Sequence, residues 1–326
     1  MRPSTMNANI LILSAGRRVE LLEAFRTALH ERAPGARVLA ADIDTSLSAA
    51  CHLADQSFTV PRIGTPGYID ALLSLCREQK VGMLIPTIDT ELLILSHHRD
   101  HFIRLGVAPI IADETLIEAC RDKRLTAKLF TELTISTPVI YPRDALVFPC
   151  FCKPYDGSSG LGASVVSSPH CLTEEMLHNE KNIFMELIGE GYQEYSVDVY
   201  YDRCGKLRCL VPRQRLEVRA GEVSKCITRR GFVHDYLAER LSHLKGARGC
   251  ITVQLFYNHR TRDIKALEIN PRFGGGFPLA DAAGAHYPAW LIDEYFLGRD
   301  IDFHDSWDAN LMMLRYDAKV LVRPGQ

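Results

Sequence analysis

The first hundred residues alternate short apolar runs with stretches of helical period, and few folds accommodate that alternation. Ile10-Leu-Ile-Leu13, Val38-Leu-Ala-Ala41 and Met83-Leu-Ile85 are continuous apolar runs, as expected of strands covered on both faces. Between them, residues 19–30 and 68–78 carry apolar positions at helical spacing. Parallel strands need a crossover helix where antiparallel ones need only a turn, so the alternation predicts a parallel α/β unit. Ligands of such units gather beyond the carboxyl ends of the strands. Ser14-Ala-Gly-Arg-Arg18 lies at that edge, Asp42 and Asp44 close the second strand, and Asp89 and Glu91 follow the third beyond Pro86. Residues 14–18 lack the G-x-G-x-x-G fingerprint and read equally as a tight turn or as an anion contact through Gly16 and Arg17.

After Pro109 the pattern changes. Residues 113–133 predict one helix, capped by Asp113, with Leu116, Ile117, Leu125, Leu129 and Phe130 on its apolar stripe and Thr137-Pro138 beyond its end. Residues 148–153, 164–166, 195–201, 251–258 and 264–270 then read as strands with hairpin-like separations, which is antiparallel α+β material. A chain of 326 residues is long enough for more than one core.

Composition removes several classes of function. A net charge of −2 argues against broad nucleic-acid binding. No apolar run approaches the ~20 residues that cross a bilayer, and Met1-Arg-Pro-Ser-Thr-Met6 lacks the apolar core of a signal peptide. The expected setting is the cytoplasm, away from membranes. The ten cysteines, without C-x-x-C spacing, speak against zinc ribbons and redox dithiols, and Cys150 and Cys152 alternate onto one face predicted to be core. His97 and His101 are i, i+4, but no third ligand is near and a solvated helix accounts for them.

Two stretches carry chemistry. Lys153-Pro-Tyr-Asp-Gly-Ser-Ser-Gly-Leu-Gly162 leaves a strand as a lysine and enters a loop of glycines and serines. Glycine lets backbone N–H groups approach phosphate oxygens, serine hydroxyls add donors and the lysine adds a point charge. The Walker ending is absent, and a plain glycine-rich hairpin is the competing reading. In Ile264-Lys-Ala-Leu-Glu-Ile-Asn-Pro-Arg-Phe-Gly-Gly-Gly276, period-2 alternation puts Glu268 and Asn270 on one face and Leu267 and Ile269 on the other. A hairpin with residues 251–258, centred near Thr261, sets Gln254 opposite Glu268 and Thr252 opposite Asn270. One carboxylate beside two amide oxygens suits Mg²⁺, a hard cation usually completed by phosphate oxygens and water. Arg272 places a positive charge beside a transferring phosphoryl group. Basic residues dominate the stretch 202–230; a solvated face competes there with an acidic-substrate site, for which Arg213 and Arg215 are the preferred residues. Gly274 and Gly275 are weaker substrate-edge candidates.

In this order the pieces resemble the ATP-grasp superfamily, and within it the branch similar to one half of the carbamoyl-phosphate synthetase large chain, over nearly the whole length. Asp122-Lys123 resembles the first phosphate-contacting basic position. Lys153 with Gly157, Ser158, Ser159, Gly160 and Gly162 resembles the lysine and glycine-rich lid. Phe184-Met-Glu-Leu-Ile-Gly189 resembles the hinge strand that holds adenine, which implies Glu186, Leu187 and Ile188. Glu194 matches the ribose-binding glutamate, Gln254, Glu268 and Asn270 the metal positions, and Arg272 the arginine near the reacting phosphate. Gln254 stands where many relatives carry a carboxylate.

The resemblance implies an N-terminal pre-ATP-grasp α/β domain over residues 1–110, a small subdomain with the glycine-rich loop over 111–185, and a C-terminal subdomain with the metal site over 186–326. It implies ATP and Mg²⁺, with Mn²⁺ as a substitute, small-molecule carboxylate and amine partners, and a homodimer as one assembly. The activity implied is carboxylate–amine ligation through an acylphosphate, with Arg272, Lys153 and Lys123 as the catalytic charges and release of ADP and phosphate. A kinase-like phosphotransferase and a nucleotide-binding protein without turnover are the alternatives.

Overall fold

The computed structural model describes residues 8–157, 162–219 and 221–323. Ser158, Ser159 and Gly160 lie outside the described residues. The first region runs β1 (Asn9–Leu13), α1 (Val19–Arg32), β2 (Val38–Asp42), α2 (Ala49–Leu53), β3 (Gln56–Thr59), α3 (Tyr68–Glu78), β4 (Val81–Ile85), α4 (Asp89–His97), α5 (Arg99–Arg104) and β5 (Ala108–Pro109). Its strands form a parallel sheet in the order β3-β2-β1-β4-β5. The all-apolar runs recognised in the sequence are its fully buried strands, and α1 covers one face with Leu21, Leu22, Phe25, Ala28 and Leu29.

Next come α6 (Glu114–Arg121) and α7 (Lys123–Glu132). The single helix expected over 113–133 is two, because Asp122 takes an extended backbone and its carboxylate accepts a hydrogen bond from the Arg124 N–H. Aspartate competes for backbone donors in this way and is better as a helix start than in a helix interior. Asp113 holds the cap position of α6 without a side-chain capping bond, its carboxylate lying 3.2 Å from Arg248 Nη2 instead. The break makes Lys123 the first residue of α7, where it can face a ligand.

The chain continues through β6 (Ile140–Tyr141), β7 (Cys150–Pro154), β8 (Ser164–Val166), α8 (Glu174–His178) and β9 (Asn182–Glu186), whose strands form a small antiparallel sheet, β6-β9-β7-β8. The last region holds β10 (Tyr192–Tyr201), β11 (Leu207–Arg219), β12 (Glu222–Thr228), α9 (Phe232–Leu241), β13 (Gly249–Asn258), β14 (Asp263–Asn270), α10 (Phe277–Ala282), α11 (Tyr287–Tyr295) and β15 (Met312–Leu314). Its strands build a second antiparallel sheet, β14-β13-β10-β11-β12-β15. The β13–β14 register pairs Gln254 with Glu268 and Thr252 with Asn270, as the alternation predicts.

Two apolar clusters tie the parallel sheet to the large antiparallel one. One contains Leu11, Leu39, Leu84, Val197, Ile251 and Val253; the other contains Ile10, Ile12, Phe25, Tyr200, Phe277 and Tyr287. The small sheet has its own cluster, in which Cys150, Cys152, Val166 and Phe184 are the buried members. Among the described residues no helix is long and apolar enough to cross a membrane.

Candidate active site

The site forms where the small sheet, α7 and β14 converge. The Lys123 N–H donates to the Tyr155 carbonyl at 3.0 Å, and the Arg124 guanidinium lies 3.8 Å from the Tyr155 ring centroid, so the start of α7 is docked on the end of β7. Lys123 Nζ donates to the carbonyl of Gly157, at the near end of the glycine-rich segment. Lys153 is the penultimate residue of β7. Burial and the neighbouring Lys123 lower its pKa to about 8, against an opposing pull from Glu268. Two ammonium groups and one carboxylate, from three elements, are thus near enough to influence one another electrostatically. Gly162 has φ +72, and a Cβ there would meet Pro154 Cγ at 3.2 Å, so the loop returns through a position that glycine suits.

On β14, Asn270 Nδ2 donates to Glu268 Oε1 at 3.1 Å, and Asn270 Oδ1 accepts from Arg272 Nη2 at 3.3 Å. The same Nη2 lies 2.7 Å from Asp89 Oδ2, joining the end of β14 to the carboxyl edge of the parallel sheet. Arg272 Nε is buried with no hydrogen-bond partner among the described residues, which leaves a donor free in the site. Asp89 was recognisable as an edge residue. Its pairing with Arg272 across 183 positions had no signal in the sequence.

Glu194 pairs with Arg215, whose Nη1 also donates to Gln254 Oε1 at 3.3 Å. Burial raises the Glu194 pKa, Arg215 pulls it down and Glu268 adds to the rise, so these groups share one electrostatic environment. Glu186 ends β9, and its Oε2 accepts from Lys265 Nζ and from the Val139 N–H, each at 3.1 Å. Leu187 and Ile188 follow it, half-buried, outside any strand.

Arg213 is a correction. Expected at the substrate, its side chain is 1% exposed and donates through Nε and Nη2 to the fully buried Asp198. A guanidinium consumed by a core carboxylate has no face for a substrate. The run 274–276 packs closely for related reasons. A Cβ on Gly274 would sit 2.8 Å from Thr252 Oγ1 and one on Gly276 2.2 Å from Arg213 Nη1, whereas Gly275 faces Arg18. His97 and His101 are both exposed, but the one helix expected to carry them is two, broken at His98: His97 ends α4, its Nε2 3.3 Å from Glu114 Oε1, and His101 lies on α5, stacked on His98.

A model of the PylC-like N-terminal domain matches residues 10–110, and one described as ATP-grasp in the biosynthetic pathway with Ter operon matches residues 178–313. Comparison with curated proteins finds no match. Among solved structures, Rhizobium etli pyruvate carboxylase aligns with TM-score 0.72 and 15% identity over 93% of this chain and 30% of its own. The chain thus spans under a third of that carboxylase. The biotin carboxylase domain of Hydrogenobacter thermophilus 2-oxoglutarate carboxylase, with MgADP and bicarbonate, aligns with TM-score 0.72 and 15% identity over 93% of this chain and 73% of that one. Bacillus licheniformis L-amino acid ligase aligns with TM-score 0.68 and 15% identity over 90% and 75%. At these identities the likeness is one of fold.

Proposed function

We propose that this chain, which has the ATP-grasp fold, is a Mg-ATP-dependent ligase that joins a small-molecule carboxylate to an amine through an acylphosphate. The observation that carries the reading is the hydrogen-bonded row of Glu268, Asn270 and Arg272 at the end of β14, together with Lys123 bonded to the carbonyls of Tyr155 and Gly157 just beyond Lys153. A substrate carboxylate attacks the γ-phosphate, ADP leaves, and the amine displaces phosphate from the acylphosphate. Lys123 and Lys153 offset the charge of the triphosphate, and Arg272 holds the oxygens of the transferring group. Glu186, Leu187 and Ile188 line the adenine side in this reading, and Glu194 faces the ribose. The described part of the glycine-rich loop, Gly157 and Gly162, flanks the phosphates, and closing it keeps water from the acylphosphate.

The donor set fits Mg²⁺. Glu268 offers a carboxylate, Asn270 and Gln254 offer amide oxygens, and no group of three or more His, Cys, Asp or Glu forms a closed cage among the described residues. Hard oxygen ligands few in number suit a cation that arrives with nucleotide phosphates, and the same set accepts Mn²⁺. When bound, such an ion polarises the phosphoryl oxygens and neutralises developing charge. All ten cysteines are free, which fits a reducing cytoplasm.

Phosphorus NMR of the protein with Mg-ATP and a pool of amino acids and small carboxylates tests the reading. ADP and phosphate should appear in equal amounts, only with a carboxylate and an amine both present, and Glu268→Ala should abolish both signals. A phosphorylated organic product without free phosphate would make it a phosphotransferase, and AMP with pyrophosphate would overturn the mechanism.

A further inference from the structure

Where residues 14–18 meet the glycine run after β14, four arginines gather with too few carboxylates. Arg17 Nη2 and Arg315 Nη1 share Glu222 Oε2 at 3.3 and 3.5 Å, Arg315 Nη2 also reaches Glu20 Oε2 at 3.4 Å, and Arg272 is paired with Asp89. Arg18 is the exception. It is half-buried, and among the described residues its guanidinium has no carboxylate within 4.0 Å and no hydrogen-bond acceptor. Its Nη1 lies 3.0 Å from where a Cβ on Gly275 would stand. Burial and Arg272 lower its pKa, Glu222 opposes them, and Arg315 and Arg17 add to the fall.

The protein holds Arg18 there by force of its own backbone. Ser14 has φ +47, uncommon for a residue with a side chain, and Gly16 has φ +44. Thr87 Oγ1 donates to the carbonyls of Leu13 and Ser14 at 3.0 and 2.8 Å, and Asp42 Oδ2 accepts from the Gly16 N–H at 2.9 Å. Ser14 Oγ donates to the buried Glu91 at 2.7 Å. Arg18 itself is the cap residue of the 14-residue α1 and makes no side-chain cap. A half-exposed guanidinium crowded by like charges and without a carboxylate beside it is a favourable place for an anion to bind.

We propose that Arg18, with the backbone at Gly275, holds a second anionic group of the carboxylate substrate, either another carboxylate or a phosphate monoester. The inference rests on the ligase reading above: Arg272 takes the reacting end and Arg18 the far end. Glu222 keeps Arg17 and Arg315 occupied and in place, so Arg18 is the open donor. A monocarboxylate leaves it uncompensated, which makes this position a selector for dianionic substrates.

Titration calorimetry on the full chain, with and without saturating MgADP, tests it with glutarate, 3-phosphonopropionate and the monoacid valerate. At least one dianion should bind tenfold or more tighter than valerate, and the stronger of the two identifies carboxylate or phosphate as the group held. Arg18→Gln should remove that discrimination while changing MgADP affinity less than twofold, and Arg18→Lys should restore part of it. Gly275→Ala, which sets a methyl against the guanidinium, should reduce it as well and serves if Arg18→Gln does not fold. Equal binding of mono- and dianions by the wild type, or discrimination that survives Arg18→Gln, overturns the proposal. Failure of the wild type to bind MgADP would instead strike the nucleotide reading, since discrimination between acids is measured without nucleotide too.

Discussion

The parallel sheet and the large antiparallel sheet are built as one body, whereas the small sheet is built apart. Residues as distant in sequence as Leu11 and Val253 share a cluster, and Phe25 shares another with Phe277 and Tyr287. The small sheet rests on Cys150, Cys152, Val166 and Phe184, with half-buried neighbours such as Phe148 and Leu172 around them. It is joined to the rest through polar links, among them Lys123 N–H to Tyr155, Lys123 Nζ to the Gly157 carbonyl and Lys265 to Glu186. A region with few buried apolar contacts opens at lower free energy than the body it leans on. The difference teaches where motion is cheap: Glu268, Asn270 and Arg272 stand on the rigid body, and Lys153 stands on the part that can move against it.

The sharpest way to break this comparison is at Asp198–Arg213. Arg213→Ala strands a fully buried carboxylate and should destabilise the whole body by about 3–5 kcal/mol, read as a shifted urea midpoint with β10 and β13 exposed together. Loosening confined to β11 and β12 would show that the body is not one unit. Next in size, Phe184→Ala should cost about 3 kcal/mol, but locally. Amide exchange should quicken in β7 and β9 and stay slow in β10 and β13; acceleration of both sheets alike would erase the distinction.

Lys153→Ala should weaken ATP binding by about tenfold, the order of one charged contact, with little loss of stability, because removing a crowded ammonium relieves the folded state. Unchanged ATP affinity would remove Lys153 from the site. The smallest effect is on pH. The Lys153 pKa of about 8 means the free protein loses this charge as pH rises through that value, so ATP affinity should fall above it. Lys153→Arg should move the fall upward. Stability has the opposite sign: the unfolded lysine keeps its proton to higher pH, so between about 8 and its ordinary value the unfolded chain binds more protons and folding is favoured as pH rises. A flat ATP-affinity profile across that window would show that the lysine is not poised by its surroundings.

Much of the site was legible because it lies on regular strands. Period-2 alternation alone places Glu268 and Asn270 on one face, and a short hairpin brings Gln254 opposite Glu268. The break at Asp122 was missed because the apolar stripe continues through it, and a cap competing with a continuing helix is a local contest that periodicity does not decide. Arg213 was misread for a different reason. In a strand, whether a charged side chain faces solvent or a buried partner depends on what the neighbouring strand presents, and Asp198 lies on β10 beside it.

By itself the sequence determined the parallel α/β start, the antiparallel remainder and the shared face of Gln254, Glu268 and Asn270, since each follows from the short period of a strand or helix. Tertiary structure alone decided which charges meet. Arg272 finds Asp89, Arg315 finds Glu20 across 295 positions, and Arg18 is left beside Gly275 without a carboxylate partner among the described residues. The reason is physical: periodicity is a property of neighbours along the chain, whereas charge pairing is decided after apolar burial has folded distant segments together.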